Sequence, residues 1–529
     1  MSASNKQFDD SVRPEVAEMI QRHSYALDEN RPEAVAKRRK TNQRTVRENL
    51  ADLCDPDSFV EYGALAIAAQ RSRRSQEDLR ARTPADGIVT GLGSVNGSLF
   101  GRDKSRCAIM AYDYTVLAGT QGYFNHVKKD RLLKIAHEQR IPLILFAEGG
   151  GGRPGDVDAD SVLVAGLDVT TFAEFGAYNG KAPIVGIVSG RCFAGNAALL
   201  GCCDVIIAAR NSNIGMGGPV MIEGGGLGDF TPEEVGPIDV QTKNGVVDIA
   251  VADDAEAVAT AKKYLSYFQG ATTNWEVSDQ KKLRQIIPER RRRVYDMRMV
   301  IKTLADVDSF LELRPDFGPG MITGFIRIEG QPFGLIANNC KHQAGAIEAE
   351  GADKAARLMQ LCNAHDLPIL SLVDTPGFMV GPDIETRAQV RHVCRMFVNA
   401  AHVTVPYLSV VTRRAYGLGA QAMVKGGFKQ SPIASWPTGE YGPMGLEGAV
   451  KKGFEKQLKA IDDPAQRQEY FDTQLDKMIQ RGKAVNMAAY LEIDAVIDPA
   501  ETRKWIMLNL ESATAQPRVD VPRRMIDTW

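Results

Sequence analysis

"RCFAGNAALLGCCD" at residues 191–204 and "RAYGLGAQAMV" at residues 414–424 write one local structure twice. A short β-type run precedes each copy, "APIVGIVSG" and "VPYLSVVTR", and each copy passes through glycine and alanine into a helix-forming stretch. A strand that enters a helix through small residues leaves N–H groups without partners at the helix start, which suits an anion. Small side chains let a ligand reach the backbone, and two such amides can hold an oxygen that gains charge during a reaction. Gly195 and Asn196 in the first copy, and Gly419 and Ala420 in the second, are the candidate donors. A tight helix-on-strand crossing needs the same small residues, so one copy alone leaves both readings open. Recurrence at equivalent places weighs toward the oxyanion reading.

The repeat extends beyond the turns. "RLLKIAHEQRIPLILFAEGGG" (131–151) lies over "RLMQLCNAHDLPILSLVDTPG" (357–377) at a constant offset of 226, which matches Arg131 with Arg357, Pro142 with Pro368 and Glu148 with Asp374. After a slip of three residues, Pro183 lies over Pro406, Arg191 over Arg414, Phe193 over Tyr416 and Ala197 over Ala420. Each half reads as helix, strand, Gly-rich turn, helix, strand, Gly-rich turn, helix, which predicts an α/β fold with buried strands. The charged stretch "DQKKLRQIIPERRRRVYDMRMVIKTLAD" (279–306) marks a boundary near residues 270–315, and its "ERRRR" is expected to be a solvated helix face or linker. A basic helix ending in a turn is expected over residues 34–63, and a strand, Pro turn and closing helix over 494–510.

Composition sets the limits. A chain of 529 residues exceeds one hydrophobic core and implies two or more domains. With 44% apolar residues, 25% charged residues and a formal charge of -2, nothing points to nucleic acid or an acidic membrane as partner. No apolar run is long enough to span a bilayer. Eight cysteines without a CxxC pair or secretory signal imply reduced thiols and a cytoplasmic protein, and Cys202 and Cys203 read as buried apolar residues. "LVDTPGF" (372–378) would suit a GTPase, but the chain has no G-x-x-x-x-G-K-[ST] loop; G-x-S-x-G and HExxH are absent too. In the Gly-rich stretch 216–236, Thr231, Pro232 and Glu234 spell a capping box, and the glycines read as a pocket wall. The histidines have no metal-ligand spacing; His342, His137 and His365 read as polar or capping residues.

"GRCFAGNAALLGCCDVIIAA" resembles the oxyanion turn and helix of the crotonase superfamily. With "LADLCDPDSFVE", "ADGIVTGLGSVNG", "AYDYTVLAGTQG", "GLIANN", "VDTPGFMVG", "TVPYLSVVTRRAYGLGA", "SWPTGEYGPMGLEGAV" and "AVIDPAETR" in order, nearly the whole chain resembles the carboxyltransferase (beta) subunit of biotin-dependent acyl-CoA carboxylases. The resemblance implies a tandem repeat of two crotonase-like (ββα superhelix) domains: a basic helical extension over 1–50, an acyl-CoA domain over 51–285 and a carboxybiotin domain over 286–529. It implies transfer of a carboxyl group from carboxybiotin, held on a carrier protein, to the α-carbon of an acyl-CoA by way of a thioester enolate, with one turn for each oxyanion. Gly195, Asn196, Gly419 and Ala420 are then catalytic. Ala194, Gly150 and Gly151 bind on the acyl-CoA side, and Tyr416, Gly417, Leu418 and Phe378 on the biotin side.

No ATP-grasp signature and no biotin-bearing Met-Lys-Met segment occurs, so a biotin carboxylase and a biotin carboxyl carrier (alpha) subunit are expected partners. No metal is expected, and the family's assembly implies a hexamer of paired subunits. The cytoplasm is the expected compartment, with the mitochondrial matrix as the alternative. An acyl-CoA decarboxylase subunit, which runs the transfer backwards, and a noncatalytic CoA-binding assembly subunit are the other readings. Departures from the family pattern are "EGGGGRP" (148–154) for S-G-G-A-R, "CFAGNA" for C-A-G-G-A and "AYGLGA" for A-Y-G-G-A, so each turn is read as a three-residue window. Gln421 and Ala422 replace a bulky residue and an acid, which implies an unusual acyl preference. The four-cysteine zinc ribbon of the bacterial acetyl-CoA carboxylase beta chain is absent.

Overall fold

Proline and glycine cut the apolar runs into short strands, and these assemble twice in the same order. The computed structural model describes residues 12–153, 155–159, 169–514 and 525–529; Pro154 of the "EGGGGRP" motif and residues 1–11 of the expected extension lie outside them. The first part contributes β1 (Val60–Tyr62), β2 (Ile88–Ser94), β3 (Arg106–Tyr112), β4 (Leu143–Phe146), β5 (Ile184–Val188), β6 (Arg191–Phe193), β7 (Val205–Ala209), β8 (Asn213–Gly215) and β9 (Ile249–Val251). Its seven-stranded sheet runs β1-β2-β3-β4-β5-β7-β9, and β6 pairs with β8 beside it. The second part contributes β10 (Leu311–Leu313), β11 (Met321–Ile328), β12 (Gln331–Asn338), β13 (Ile369–Thr375), β14 (Tyr407–Tyr416), β15 (Ile433–Ser435), β16 (Glu440–Gly442) and β17 (Ala495–Val496). Its sheet runs β10-β11-β12-β13-β14-β15-β17, with β16 on β14.

Both sheets open with three antiparallel strands and continue in parallel. Parallel neighbours need crossovers. Helices Tyr123–Gln139, Thr171–Ala177 and Gly195–Gly201 supply them in the first half, and Ala349–Ala364, Gln389–His402 and Gly417–Met423 in the second. The architecture is the expected α/β tandem of crotonase-like domains.

The repeat reaches single dihedrals and hydrogen bonds. Ala118 and Ala344, 226 positions apart, both have φ 53°, and the glycines after them, Gly119 and Gly345, have φ 64° and 84°. A Cβ on Gly119 would lie 2.5 Å from the Glu148 carbonyl oxygen, and one on Gly345 2.5 Å from that of Asp374, so both positions exclude a side chain. Lys128 and Lys354 share the offset and the role. Lys128 Nζ donates to the carbonyls of Ala85 and Ile88, and Lys354 Nζ to those of Arg314 and Phe317 at 2.7 and 2.9 Å. Burial pushes the first ammonium down to about 8 and the second to about 7.

The halves differ where β14 runs unbroken and its counterpart splits into β5 and β6. In the second half Arg413 Nε lies 3.0 Å from Asp374 Oδ2 and Arg414 Nε 2.7 Å from Oδ1. Gly190, with φ 107°, stands where the repeat has Arg413, and a Cβ there would collide with Gln43 Nε2 and Glu148 Oε1. Glu148 draws its partners from the N-terminal segment instead: Arg38 Nη1 donates to it at 2.7 Å and Gln43 Nε2 at 3.3 Å, and Gln43 Nε2 also donates to the Ser189 carbonyl at 2.7 Å. That segment forms two helices, Pro32–Lys40 and Val46–Leu53, the second opened by a Thr45/Glu48 capping box, where a single basic helix was expected. A short 3-10 turn, Pro232–Glu234, carries the expected Thr231 capping box. Strand β17, a Pro499 turn and helix Thr502–Thr514 close the chain as expected.

One further expectation meets the structure at the boundary between halves. The "ERRRR" run is not simply a solvated face: Arg291 Nη2 donates to Glu440 Oε1 at 2.7 Å and its Nη1 to Glu447 Oε1 at 2.7 Å, because two carboxylates on the second half face it. Arg292 remains exposed. The sheets share one apolar core containing Ile109, Ile207, Phe325 and Ile336. Helix Asp254–Gln269 sets Tyr264, Tyr267 and Phe268 around Phe325 with ring centroids 5.6, 5.2 and 5.5 Å away. Arg357 Nη2 crosses the same seam to the Asp204 carbonyl at 2.7 Å.

Candidate active site

In the first half, β6 ends at Phe193, Ala194 turns at φ 51° and ψ -123°, and helix Gly195–Gly201 begins. Ala194 N–H donates to the Gly215 carbonyl at 3.1 Å. The N–H groups of Gly195 and Asn196 have no acceptor among the described residues. The loop after β4 lies against this turn, since a Cβ on Gly151 would be 2.8 Å from Ala194 Cβ and 3.8 Å from Gly195 N. Gly150 N–H reaches the Ala118 carbonyl at 3.4 Å, and the Gly151 carbonyl accepts from Gln121 N–H at 3.0 Å. The structure therefore brings together Gly150, Gly151, Ala194, Gly195 and Asn196, and it leaves two helix-start amides unpaired.

The second half repeats the arrangement. Tyr416 precedes helix Gly417–Met423, in which Gly417 has φ 57°. A Cβ on Gly419 would lie 2.6 Å from the Gly377 carbonyl carbon and 2.8 Å from Phe378 N, so this helix start touches the backbone that follows β13. The N–H groups of Phe378 and Gly419 have no acceptor among the described residues, whereas Ala420, the fourth residue of the helix, closes the first helical turn on the Tyr416 carbonyl and is not a free donor. Ile347 N–H donates to the Gly377 carbonyl at 3.0 Å and Met379 N–H to the Ile347 carbonyl at 2.9 Å. The Phe378 ring packs on Phe397, with centroids 6.1 Å apart. Leu418 is exposed and Tyr416 buried, and the Tyr416 hydroxyl accepts from Arg291 Nη2 at 3.3 Å.

Charge stands behind the turns. Asp374 is fully buried between Arg413 and Arg414. Burial pushes Glu148 up to about 7 against the opposing pull of Arg38. Among the described residues, no cluster of three or more His, Cys, Asp or Glu could hold a metal, and no helix is long and apolar enough to cross a membrane. The titratable groups are structural partners, so the arrangement can stabilise negative charge and position groups.

Sequence reasoning missed Gly152, Gln121, Tyr112, Lys129 and Arg291. Gly152 N–H has no acceptor among the described residues and stands at the 226 offset from Phe378. Carrying the register ten residues upstream would have found Gln121 opposite Ile347 through the shared Ala-Gly pairs at 118–119 and 344–345. Arg291 had no such signal.

Comparison with known proteins gives this geometry a family. Carboxyl transferase domains match residues 37–526. The 12S subunit of methylmalonyl-CoA carboxyltransferase from Propionibacterium freudenreichii subsp. shermanii is 32% identical over 491 residues, 90% of each chain. A solved transcarboxylase 12S hexamer with methylmalonyl-coenzyme A bound superposes with a TM-score of 0.82 at 28% identity, covering 98% of this chain and 99% of that one. A single-chain, multi-domain long-chain acyl-CoA carboxylase gives a TM-score of 0.89 at 54% identity; the match takes in 94% of this chain but only 49% of that enzyme, so the chain spans about half its length. The chain thus belongs to the carboxyl transferase domain family, whose curated members include beta subunits of biotin-dependent acyl-CoA carboxylases.

Proposed function

We propose that this chain is the carboxyltransferase component of a biotin-dependent acyl-CoA carboxylase and acts on long-chain acyl-CoA. The observation that carries the reading is the recurrence, at equivalent places in two domains, of a helix start with unpaired amides closed against a glycine loop. In the second half the close contact of Gly419 with the Gly377–Phe378 backbone sets the Gly419 and Phe378 amides side by side, an arrangement suited to the ureido oxygen of biotin. Carboxybiotin delivered by a partner supplies the carboxyl group and, after its loss, the base for the α-proton. The amides of Gly195 and Asn196 take the charge that develops on the thioester oxygen. Those of Gly419 and Phe378 face the ureido oxygen. Preorganised donors suit such chemistry because they need no reorientation as charge appears.

The division into 1–50, 51–285 and 286–529 belongs to the same proposal, as do a biotin carboxylase and a carrier as partners, a hexameric core and a cytoplasmic location. The long-chain preference follows from the 54% identical long-chain acyl-CoA carboxylase. Co-purification with the partners, followed by ATP- and bicarbonate-dependent carboxylation across acyl-CoAs from two to twenty carbons, tests it. Turnover that peaks at long chains supports the proposal. A peak at propionyl-CoA refutes the chain-length assignment, and no turnover of any acyl-CoA refutes the function.

A further inference from the structure

Behind the first turn lies a polar chain that has no counterpart behind the second. Asn196 follows the turn, and its side chain is fully buried. Its Nδ2 donates to the carbonyls of Gly119 and Glu148 at 3.0 and 2.8 Å, and its Oδ1 accepts from Gln121 Nε2 at 2.7 Å. Gln121 Nε2 also donates to the Tyr112 hydroxyl at 3.0 Å, and Lys129 Nζ donates to the same hydroxyl at 2.8 Å. Gln121 binds the facing loop as well, its N–H on the Gly151 carbonyl at 3.0 Å and its carbonyl under Arg153 N–H at 2.8 Å. Gln121 therefore touches both walls of the turn, by its backbone on one side and its side chain on the other. At the 226 offset the second half has Ile347 for Gln121, Asn338 for Tyr112 and Ala355 for Lys129. Ile347 makes the backbone bonds but has no polar side chain to make the others.

We propose that Gln121 is a positioning residue for the acyl-CoA half-site, fixing the Gly195 and Asn196 amides by holding the Asn196 carboxamide, with Tyr112 and Lys129 fixing the orientation of Gln121 in turn. The Gln121 amide has its oxygen side against Gly195, where a Cβ would lie 2.7 Å from Oε1, and its nitrogen side on Asn196 and Tyr112, so a flip would set its oxygen against Asn196 Oδ1 and lose that bond. Lys129 is wholly buried with its Nζ 5.4 Å from the Tyr112 ring centroid, and the phenol oxygen accepts from both Lys129 Nζ and Gln121 Nε2.

The inference rests on reading the first turn as the acyl-CoA site, and two measurements separate the two ideas. In the assembled complex, Gln121→Met keeps side-chain length and removes both side-chain bonds. The expected result is a kcat for acyl-CoA carboxylation lower by about 10- to 100-fold, below the loss of a whole oxyanion donor. KM for acyl-CoA should stay within about threefold and biotin-side decarboxylation should be unchanged, because the second half has no such chain. Deuterium uptake should rise over residues 191–199 and not over 414–424. An unchanged kcat, or uptake rising equally in both segments, overturns the proposal. If the wild-type complex turned over no acyl-CoA, the functional reading would fall, while uptake confined to 191–199 would still support the positioning contact. Should Gln121→Met fail to fold, Tyr112→Phe leaves Gln121 on Asn196 and frees its other edge; a kcat loss of about threefold or more at constant KM supports the proposal, and no loss overturns it.

Discussion

Single backbone groups carry the proposed chemistry, so the sharpest tests replace one atom. Proline at Asn196 would also destroy the buried carboxamide contacts, so an ester in place of the amide is the cleaner change. Glycolic acid incorporated at position 195 removes one N–H and keeps every side chain. It should lower acyl-CoA α-proton exchange by about 10²- to 10³-fold while carboxybiotin breakdown persists. Glycolic acid at position 419 should do the reverse. Equal rates for both esters and the wild type would show these amides to be structural. Lys129 offers a test by pH. Burial pushes its ammonium from the usual 10.5 down to about 7 in the folded chain. Between those values the unfolded chain binds more protons, so stability rises with pH from about 7 toward 10.5. Lys129→Met should flatten that rise, read as urea midpoints at pH 6, 7.5 and 9; an unaltered slope contradicts it.

Helix starts and strand ends position these groups, and on the second turn a close approach lies at Gly419. Its α-hydrogen faces the Gly377 carbonyl carbon and Phe378 N, so Gly419→Ala must push helix Gly417–Met423 away from the end of β13. A shift of even 1 Å costs about 10²-fold in rate, so biotin-side decarboxylation should fall by about that much with acyl-CoA binding intact. Both turns and their repeat were legible in the sequence, since only small residues tolerate such approaches and the glycine pattern marks them. The crossover helices and buried strands were legible through their apolar runs. What sets the turns from behind was not. Gln121 meets Asn196 across 75 positions and Arg291 meets Glu440 across 149, and no periodicity or spacing marks a pair brought together only by the finished fold. The charged look of "ERRRR" concealed the tether at Arg291, because the acids that bind it, Glu440 and Glu447, belong to another part of the chain.

At the scale of the molecule, the seam between halves is built from helix Asp254–Gln269, Phe325, Arg357 and Asp204, none of them in either turn. The proposed reaction needs both turns on one pair of reactants, which a second copy supplies if each site joins the first half of one subunit to the second half of another. Mixing chains that carry glycolic acid at 195 with chains that carry Gly419→Ala should then restore about a quarter of wild-type turnover, the share of intact sites expected from random pairing in a two-fold dimer. No recovery would mean that each site lies within one chain. The purified chain alone should bind acyl-CoA and fix no bicarbonate with ATP; ATP-dependent turnover by it would contradict the assignment. The clamp on the carboxylate behind each turn also bears on synthesis at the ribosome. In the second half Arg413 and Asp374 are 39 residues apart, so that clamp forms almost as soon as its strands emerge. In the first half Arg38 must wait for Glu148, 110 residues later, and Gln43 for Ser189, 146 later. At usual elongation rates Arg38 waits about 5 to 20 s with its charge unpaired. The N-terminal helices are thus the first to be made, yet their clamp takes longer to complete than the corresponding clamp of the second half.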